Sequence, residues 1–548
     1  MDVARLVGTT IARLGVGHAF GVVGSGNFAV TNALRAQGVP FVATRHEGGA
    51  ITMADAYARM SGRVAVVSTH QGCGFTNTMT GLGEAAKSRT PLLVLTADTA
   101  NGAVRSNFRI DQDAAARSVG AISERVHSAR TAIADTIRAY TTALRERRTV
   151  VLNLPLDVQI QEVDAPDEVA PLAPAGAIRP DAAAVAALAD AIGRAQRPVF
   201  VAGRGARAAA APLRELAELV GALVATSAVA NGLFHDDPWS LGISGGFASP
   251  VAAELISGAD LIVGWGCALN MWTMRHGRLI GPGATVVQVD VERSALGADR
   301  PIDLGVLGDA GQTARDLHAE LTRRGHAGKG YRSEELRGRI ADQVRWRDVP
   351  FADLSSDERI DPRRLSARLD ELLPAERIVA VDSGNFMGYP SAYLSVPDEY
   401  GFCFTQAFQS IGLGLATAIG AALARPDRLP VAAVGDGGFL MSVAELDTLV
   451  RLGLPMVVVV YNDSAYGAEV HHFTDSTEDE LAAVRFPETD IAAIGRGFGA
   501  TAITVRTEHD LAGVNEWLAG DRNTPLVIDA KIASDGGAWW LAEAFHKH

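Results

Sequence analysis

Short runs of Val, Leu, Ile and Ala recur along the chain. Each ends in glycine or polar residues and is followed by a stretch with helical spacing. Between residues 18 and 96 the runs are HAFGVV, FVATR, VAVVST and PLLVLTA, with helical stretches over 46–61 and 76–87. TVVLNLP closes this block near residue 155. Runs that are apolar throughout, without alternation, predict strands buried on both faces of a parallel sheet. The pattern returns twice. PVFVAG, ALVATS, LIVGWG and TVVQVDV form a second block, and RIVAVDS, PVAAVGD, PMVVVVYND and PLVIDAK a third. Proline-rich residues 161–181 and polar residues 326–360 read as linkers, the second with a helix in it. The N-terminal MDVARLVGTTIARLGVGHAF reads as an amphipathic helix. The expectation is an α/β chain of three doubly wound parallel-sheet domains, at 1–160, 182–325 and 361–535. A tail helix over 536–548 would carry Trp539, Trp540, Leu541 and Phe545.

Composition narrows the partners. With 48% hydrophobic and 21% charged residues among 548, a large core can be buried. The net charge of −13 and the lack of a basic run argue against nucleic acid. Cys73, Cys267 and Cys403 lie far apart, so neither a zinc ribbon nor a disulfide framework is suggested. Asp2, Arg5 and Arg13 set the N-terminus apart from a signal peptide. No run of about 20 apolar residues is present. The expected setting is cytoplasmic, with no membrane partner.

The clearest chemistry lies in VAAVGDGGFLMSVAELDTLVRLGLPMVVVVYNDSAYG, residues 431–467. A buried strand ends at Gly435-Asp436-Gly437-Gly438, where glycines allow close approach of a phosphate. Ser442 and Glu445 fit a capping box for the following helix. The next strand ends at Asn462-Asp463, 27 residues after Asp436. One strand–helix–strand step of that length sets two oxygen ligands side by side at one sheet edge. Such a pair suits Mg²⁺ shared with diphosphate oxygens.

This segment resembles the thiamine diphosphate motif, GDG followed by NN, of the acetolactate synthase, pyruvate decarboxylase and benzoylformate decarboxylase superfamily. The three-block layout resembles that family's pyrimidine-binding, central and diphosphate-binding domains. Asp463 stands where the family has its second Asn. The resemblance implies thiamine diphosphate and Mg²⁺, with Asp436, Asp463 and the Ala465 carbonyl as metal ligands and Tyr466 beside the cofactor. It implies that Glu47, in Arg45-His46-Glu47-Gly48-Gly49-Ala50, protonates the aminopyrimidine ring of the cofactor. Ser383, Gly384 and Asn385 would face the diphosphate. Ile411 would hold the cofactor bent, and the backbone near Gln409 would hold its amino group. It further implies a homodimer or homotetramer, with active sites between subunits.

On the substrate side, Ser25 and His70 resemble the serine turn and histidine of benzoylformate decarboxylase. His70 would move a proton and Ser25 would bond the leaving carboxylate. That enzyme's second histidine has no clear counterpart. Trp272 or Thr273 stands nearby in GCALNMWTMRHG, with His276 a few residues on. Glu469 lies six residues after Asp463, an offset at which pyruvate decarboxylase has an acid. It reads as a second acid or base. His471 and His472 follow, at least one as a polar surface residue.

In the central block, Gly203, Gly205 and Ala208 fit G-x-G-x-x-A after a strand. No acidic residue stands at the expected interval, so FAD is possible there but not favoured. The expected activity is decarboxylation of a small-molecule 2-oxo acid, releasing an aldehyde or passing the cofactor-bound fragment to an acceptor carbonyl. The alternatives are an acetolactate synthase-type carboligase, a flavin-containing oxidase relative, and a non-catalytic binding protein retaining the fold.

Overall fold

A computed structural model describes residues 1–164, 172–328 and 330–544. Phe545 of the expected tail helix lies outside the described residues. Three six-stranded sheets, with every strand pair parallel, carry helices on their faces. The first contains β1 (Ala19–Gly21), β2 (Phe41–Ala43), β3 (Ala65–Thr69), β4 (Leu92–Asp98), β5 (Ile122–Arg125) and β6 (Thr149–Pro155), ordered β2-β1-β3-β4-β6-β5. The second contains β7 (Pro198–Ala202), β8 (Leu223–Thr226), β9 (Ser240–Ile243), β10 (Leu261–Trp265), β11 (Thr285–Asp290) and β12 (Leu304–Leu307), ordered β12-β11-β10-β7-β8-β9. The third contains β13 (Arg377–Val381), β14 (Phe402–Phe404), β15 (Leu429–Gly435), β16 (Val457–Asn462), β17 (Thr501–Val505) and β18 (Leu526–Lys531), ordered β14-β13-β15-β16-β18-β17. The first and third sheets therefore share one winding.

The apolar runs marked the inner strands and missed β5, β9, β12, β14 and β17. All five lie at sheet edges. An edge strand is covered on fewer sides. ISER and SLGI, for β5 and β9, are half-exposed and lack a continuous apolar run. β14 is buried but only three residues long.

The helix Glu47–Ser61 joins the first sheet to the third. His46 caps its start through Nδ1, which accepts from Gly48 N at 3.0 Å, and Gly62 ends it in the left-handed conformation. Its small residues let it cross closely over the helix Gly414–Ala424. A Cβ at Gly420 would stand 2.1 Å from the Met53 carbonyl. Residues from both helices share one buried core. Arg59, near the helix end, is buried and paired with Asp55 (2.6 Å) and Glu84 (2.8 Å), and it donates to the Phe404 carbonyl.

The expected capping box does not form. Ser442 ends the helix Asp436–Ser442 and donates to the Gly438 carbonyl, while Ala444 stands at the start of the helix Glu445–Leu452. Glu445 reaches the other domain instead. Its carboxylate accepts from His46 N at 2.9 Å and Arg45 N at 3.2 Å. A bond from Thr448 Oγ1 fixes its rotamer. Its burial made this use available, since a buried carboxylate takes the nearest backbone donors.

Candidate active site

The first cluster sits at the carboxyl edge of the third sheet. β15 and β16 are paired, with Gly435 opposite Tyr461, so Asp436 and Asp463 leave the sheet side by side. The two carboxyls are hydrogen-bonded to each other. Burial pushes both upward, and Asp436 pushes Asp463 further, so each resists ionising beside the other. Among the described residues neither is in an ion pair. Lys531, the cation that acts on Asp436, is committed to Asp529 at 3.0 Å and the Thr489 carbonyl at 2.8 Å. Asn462 turns the other way, donating to Asp529.

After Asp463 the chain bends sharply at Ser464, a left-handed residue with φ +59°. Ala465 N then donates to Asp463 Oδ1 at 3.2 Å. Gly467 follows, and a Cβ there would come within 2.2 Å of Asp463 Oδ2. Tyr466 lies over Gly437, whose missing Cβ would meet the ring at 2.6 Å. A cavity of about 170 Å³ opens beside Asp463, lined also by Asn385, Tyr389, Ala465 and His471. The buried Tyr389 hydroxyl has no hydrogen-bond partner. No described group of three or more His, Cys, Asp or Glu side chains could hold a metal. A cation here would rest on two carboxylates and a backbone oxygen.

Ser383-Gly384-Asn385 leaves the neighbouring strand β13. Its groups are more committed than the sequence implied. Ser383 N donates to Asp382. Asn385 Oδ1 accepts from Ala538 N, and its carbonyl accepts from Trp540 Nε1, both at 3.1 Å. The C-terminal helix Trp539–Ala544 thus holds this loop, while Trp539 Nε1 reaches the Gly246 carbonyl of the second domain. Gln409 is exposed with φ +58°, and Ile411 is half-buried.

The second cluster belongs to the first sheet. Glu47, 8% exposed at the start of its helix, accepts from Asn77 Nδ2 at 2.9 Å through Oε2. A Cβ at Gly74 would stand 3.2 Å from Glu47 Oε1 and 3.1 Å from His70 Cβ, so Glu47 and His70 flank the same bare glycine. His70 Nδ1 lies 2.9 Å from the Gln71 carbonyl, which can only accept, so that nitrogen carries the hydrogen. Nε2 then faces Ser25 Oγ at a long 3.4 Å. Phe108 closes the corner, edge-on to His70 at 4.9 Å between centroids. The structure brings Ser25, Glu47 and His70 together. Asn77 and Glu445 were missed as supports of this corner. Asn77 closes the THQGCGFTN stretch that drew attention to His70.

Other candidates lie apart. Glu469 is exposed on the helix Gly467–His472. His471 lines the cavity, and burial lowers its pKa. The His472 ring packs on Phe473. Trp272 packs against the third domain's core, Thr273 is buried, and His276 is left-handed at φ +54°. In the second domain, a Cβ at Gly203 would meet the Gly266 carbonyl at 2.3 Å, and one at Gly205 the Gly266 Cα at 2.8 Å. Those glycines serve loop-to-loop packing. Cys267 and Cys403 are buried and Cys73 is exposed, all three as free thiols.

Three family models match in chain order. Residues 1–116 match the N-terminal thiamine pyrophosphate-binding domain, 185–317 the central domain and 382–530 the C-terminal thiamine pyrophosphate-binding domain of thiamine pyrophosphate enzymes. A probable 2-ketoarginine decarboxylase of Pseudomonas aeruginosa is 30% identical, across 91% of this chain and 88% of its own. The chain belongs to the thiamine pyrophosphate enzyme family. It is also similar to a sulfoacetaldehyde acetyltransferase of Rhodobacter capsulatus, 29% identical across 98% of this chain and 95% of that one. The acetolactate synthase large subunit of Parasynechococcus marenigrum is 28% identical across 95% and 86%. The superfamily and the three-domain α/β architecture agree with the sequence reading. Among the described residues no helix is long and apolar enough to cross a membrane.

Proposed function

We propose that this thiamine diphosphate enzyme uses Mg²⁺ to decarboxylate a 2-oxo acid, then releases the aldehyde or passes the fragment to an acceptor carbonyl. The observation that carries the reading is the Asp436–Asp463 pair, a buried and a half-buried acid set side by side at paired strand ends without an ion-pair partner among the described residues. Such a donor set fits a hard divalent cation. Asp436, Asp463 and the Ala465 carbonyl would hold it. Gly437, Gly438 and the 383–385 loop would line the diphosphate. When bound, thiamine diphosphate supplies the nucleophilic carbon and takes up the electrons left by CO₂.

The chain's own groups do the rest. Glu47 would hold a proton toward the aminopyrimidine ring through one oxygen, its other oxygen being fixed by Asn77. His70 presents Nε2 as proton acceptor or donor, and Ser25 Oγ offers a hydrogen bond to the substrate carboxylate. Glu469 is the more distant second acid. The acid corner and the carboxylate pair sit on different domains, which suits a homodimer or homotetramer with each site shared between subunits.

A panel of 2-oxo acids, supplied with thiamine diphosphate and Mg²⁺, tests the reading by CO₂ release and product analysis. Failure to release CO₂ from any of them would overturn it. The names of the acetolactate synthase and acetyltransferase relatives favour a second reading, carboligation, and added acceptor aldehyde separates the two outcomes. The packing of Gly203 and Gly205 against Gly266 leaves FAD disfavoured, and a yellow purified protein would reverse that.

A further inference from the structure

Between β14 and the helix Gly414–Ala424 the chain arches over residues 405–413. Gln409 sits in the left-handed region, which costs a side-chain-bearing residue free energy that its surroundings must offset. Gly412 is left-handed too, at φ +87°. The bend persists because both feet of the arch are held by buried carboxylates. On the rising side, Glu84 of the helix Met79–Lys87, 1% exposed, accepts from Ala407 N at 3.1 Å and Phe408 N at 2.6 Å. On the falling side, Asp382, fully buried at the end of β13, accepts from Gly412 N at 3.0 Å and Leu413 N at 3.2 Å.

Each anchor is itself fixed. Glu84 is paired with Arg59 at 2.8 Å and accepts from Ser88 Oγ at 3.1 Å. The exposed Phe408 ring rests on the same N-terminal helix, where a Cβ at Gly83 would meet it at 2.7 Å. Asp382 also receives Ser383 N at 2.9 Å, and a Cβ at Gly438 would strike its Oδ2 at 2.3 Å. One carboxylate therefore ties the arch to the 383–385 loop and to the glycines after Asp436. At the arch's foot, both polar atoms of the Gln406 amide are buried and unpartnered.

We infer that Glu84 and Asp382 are positioning residues. They clamp the 405–413 arch from two domains so that Gln409 and Ile411 stand preformed for the aminopyrimidine half of the cofactor. The inference rests on the function proposed above. A charged acceptor on two successive backbone donors makes a strong restraint, and removing it frees both donors at once.

The test uses the full-length protein and the near-isosteric variants Glu84→Gln and Asp382→Asn. Amide hydrogen exchange in the cofactor-free protein should rise about tenfold or more, at Ala407 and Phe408 in the first and at Gly412 and Leu413 in the second. Calorimetric affinity for thiamine diphosphate with Mg²⁺ should fall about tenfold in both. Gln409→Val, exposed and β-branched, should lose similar affinity with little change in melting temperature, while Gln409→Gly should keep it. The Gln409 pair stands even if a buried-carboxylate variant fails to fold. Variants that fold, exchange and bind like the wild type would overturn the clamp alone. A wild-type protein that binds no thiamine diphosphate overturns the functional reading, and the clamp's purpose with it.

Discussion

The first and third sheets are wound in the same order, yet they treat the acid at the end of their fourth strand in opposite ways. In the first, Asp98 ends β4 and is paired with Arg125 at 2.7 Å, and Asp113 binds the same guanidinium at 2.7 Å. In the third, Asp463 follows β16 and meets no cation among the described residues, only the Ala465 amide and another acid, Asp436. The backbone offers the same place in both domains. A counter-ion supplied from within makes the first acid a strut. Its absence leaves the second without a counter-ion of its own, the place where the proposed function puts Mg²⁺. The first domain's proposed catalytic groups stand instead after neighbouring strands, Glu47 after β2 and His70 after β3.

The contrast can be broken at either end. The largest effect is expected from Asp436→Ala, which should abolish Mg²⁺-dependent thiamine diphosphate binding in calorimetry, a loss of about 100-fold or more. Wild-type affinity would remove Asp436 from the metal. Glu47→Gln should change cofactor affinity by less than about threefold, yet slow exchange of the cofactor C2 proton, followed by NMR, by about 100-fold or more.

pH should move the two sheets in opposite senses. Asp436 and Asp463 titrate above the ordinary carboxylate range. The folded, metal-free protein therefore holds more protons there than the unfolded chain. That contribution to stability is lost as pH rises through about 6 at Asp436 and about 8 at Asp463, while Mg²⁺ affinity improves over the same range. Asp113 behaves inversely. Burial pushes it up, but hydrogen bonds from Ser123 and Arg125 hold it below its usual value. Its contribution is lost as pH falls through that lowered value. Denaturation with and without Mg²⁺ from about pH 2 to 9 reads both, and Mg²⁺ affinity independent of pH would contradict the raised titration of the pair. The smallest effect belongs to Arg125→Ala. It should cost about 1 kcal/mol, because the pair is partly solvent-screened, and should leave cofactor binding unchanged.

Much of this was legible in the chain. Inner strands bury both faces and announce themselves as apolar runs, so the three-sheet architecture could be read directly. The spacing of Asp436 and Asp463 translates into neighbouring strand ends by the geometry of one crossover. What could not be read were bonds between distant segments. Glu445 fits a local cap by spacing, but its burial against residues 45 and 46 redirects it across domains. Glu84, Asp382 and Asn77 carry no local signature, because their partners, the amides of the arch for the two acids and the Glu47 carboxylate for Asn77, are brought in by tertiary packing. Gly203 and Gly205 match a fingerprint whose glycines can equally serve loop contacts, and sequence cannot tell the two apart.

The bonds from Arg59 to Phe404 and from His46 to Glu445 link positions 345 and 399 residues apart. The helix that begins with Glu47 can therefore reach its final seat only after the third domain has been synthesised. Until then it exposes a face rich in alanine and methionine, and a guanidinium lacking its distant carbonyl. Such long-range closure makes for slow maturation and a nascent chain in need of shelter. An isolated N-terminal fragment would keep the bond from Asn77 to Glu47 but would leave the two amides just before that helix without their distant carboxylate.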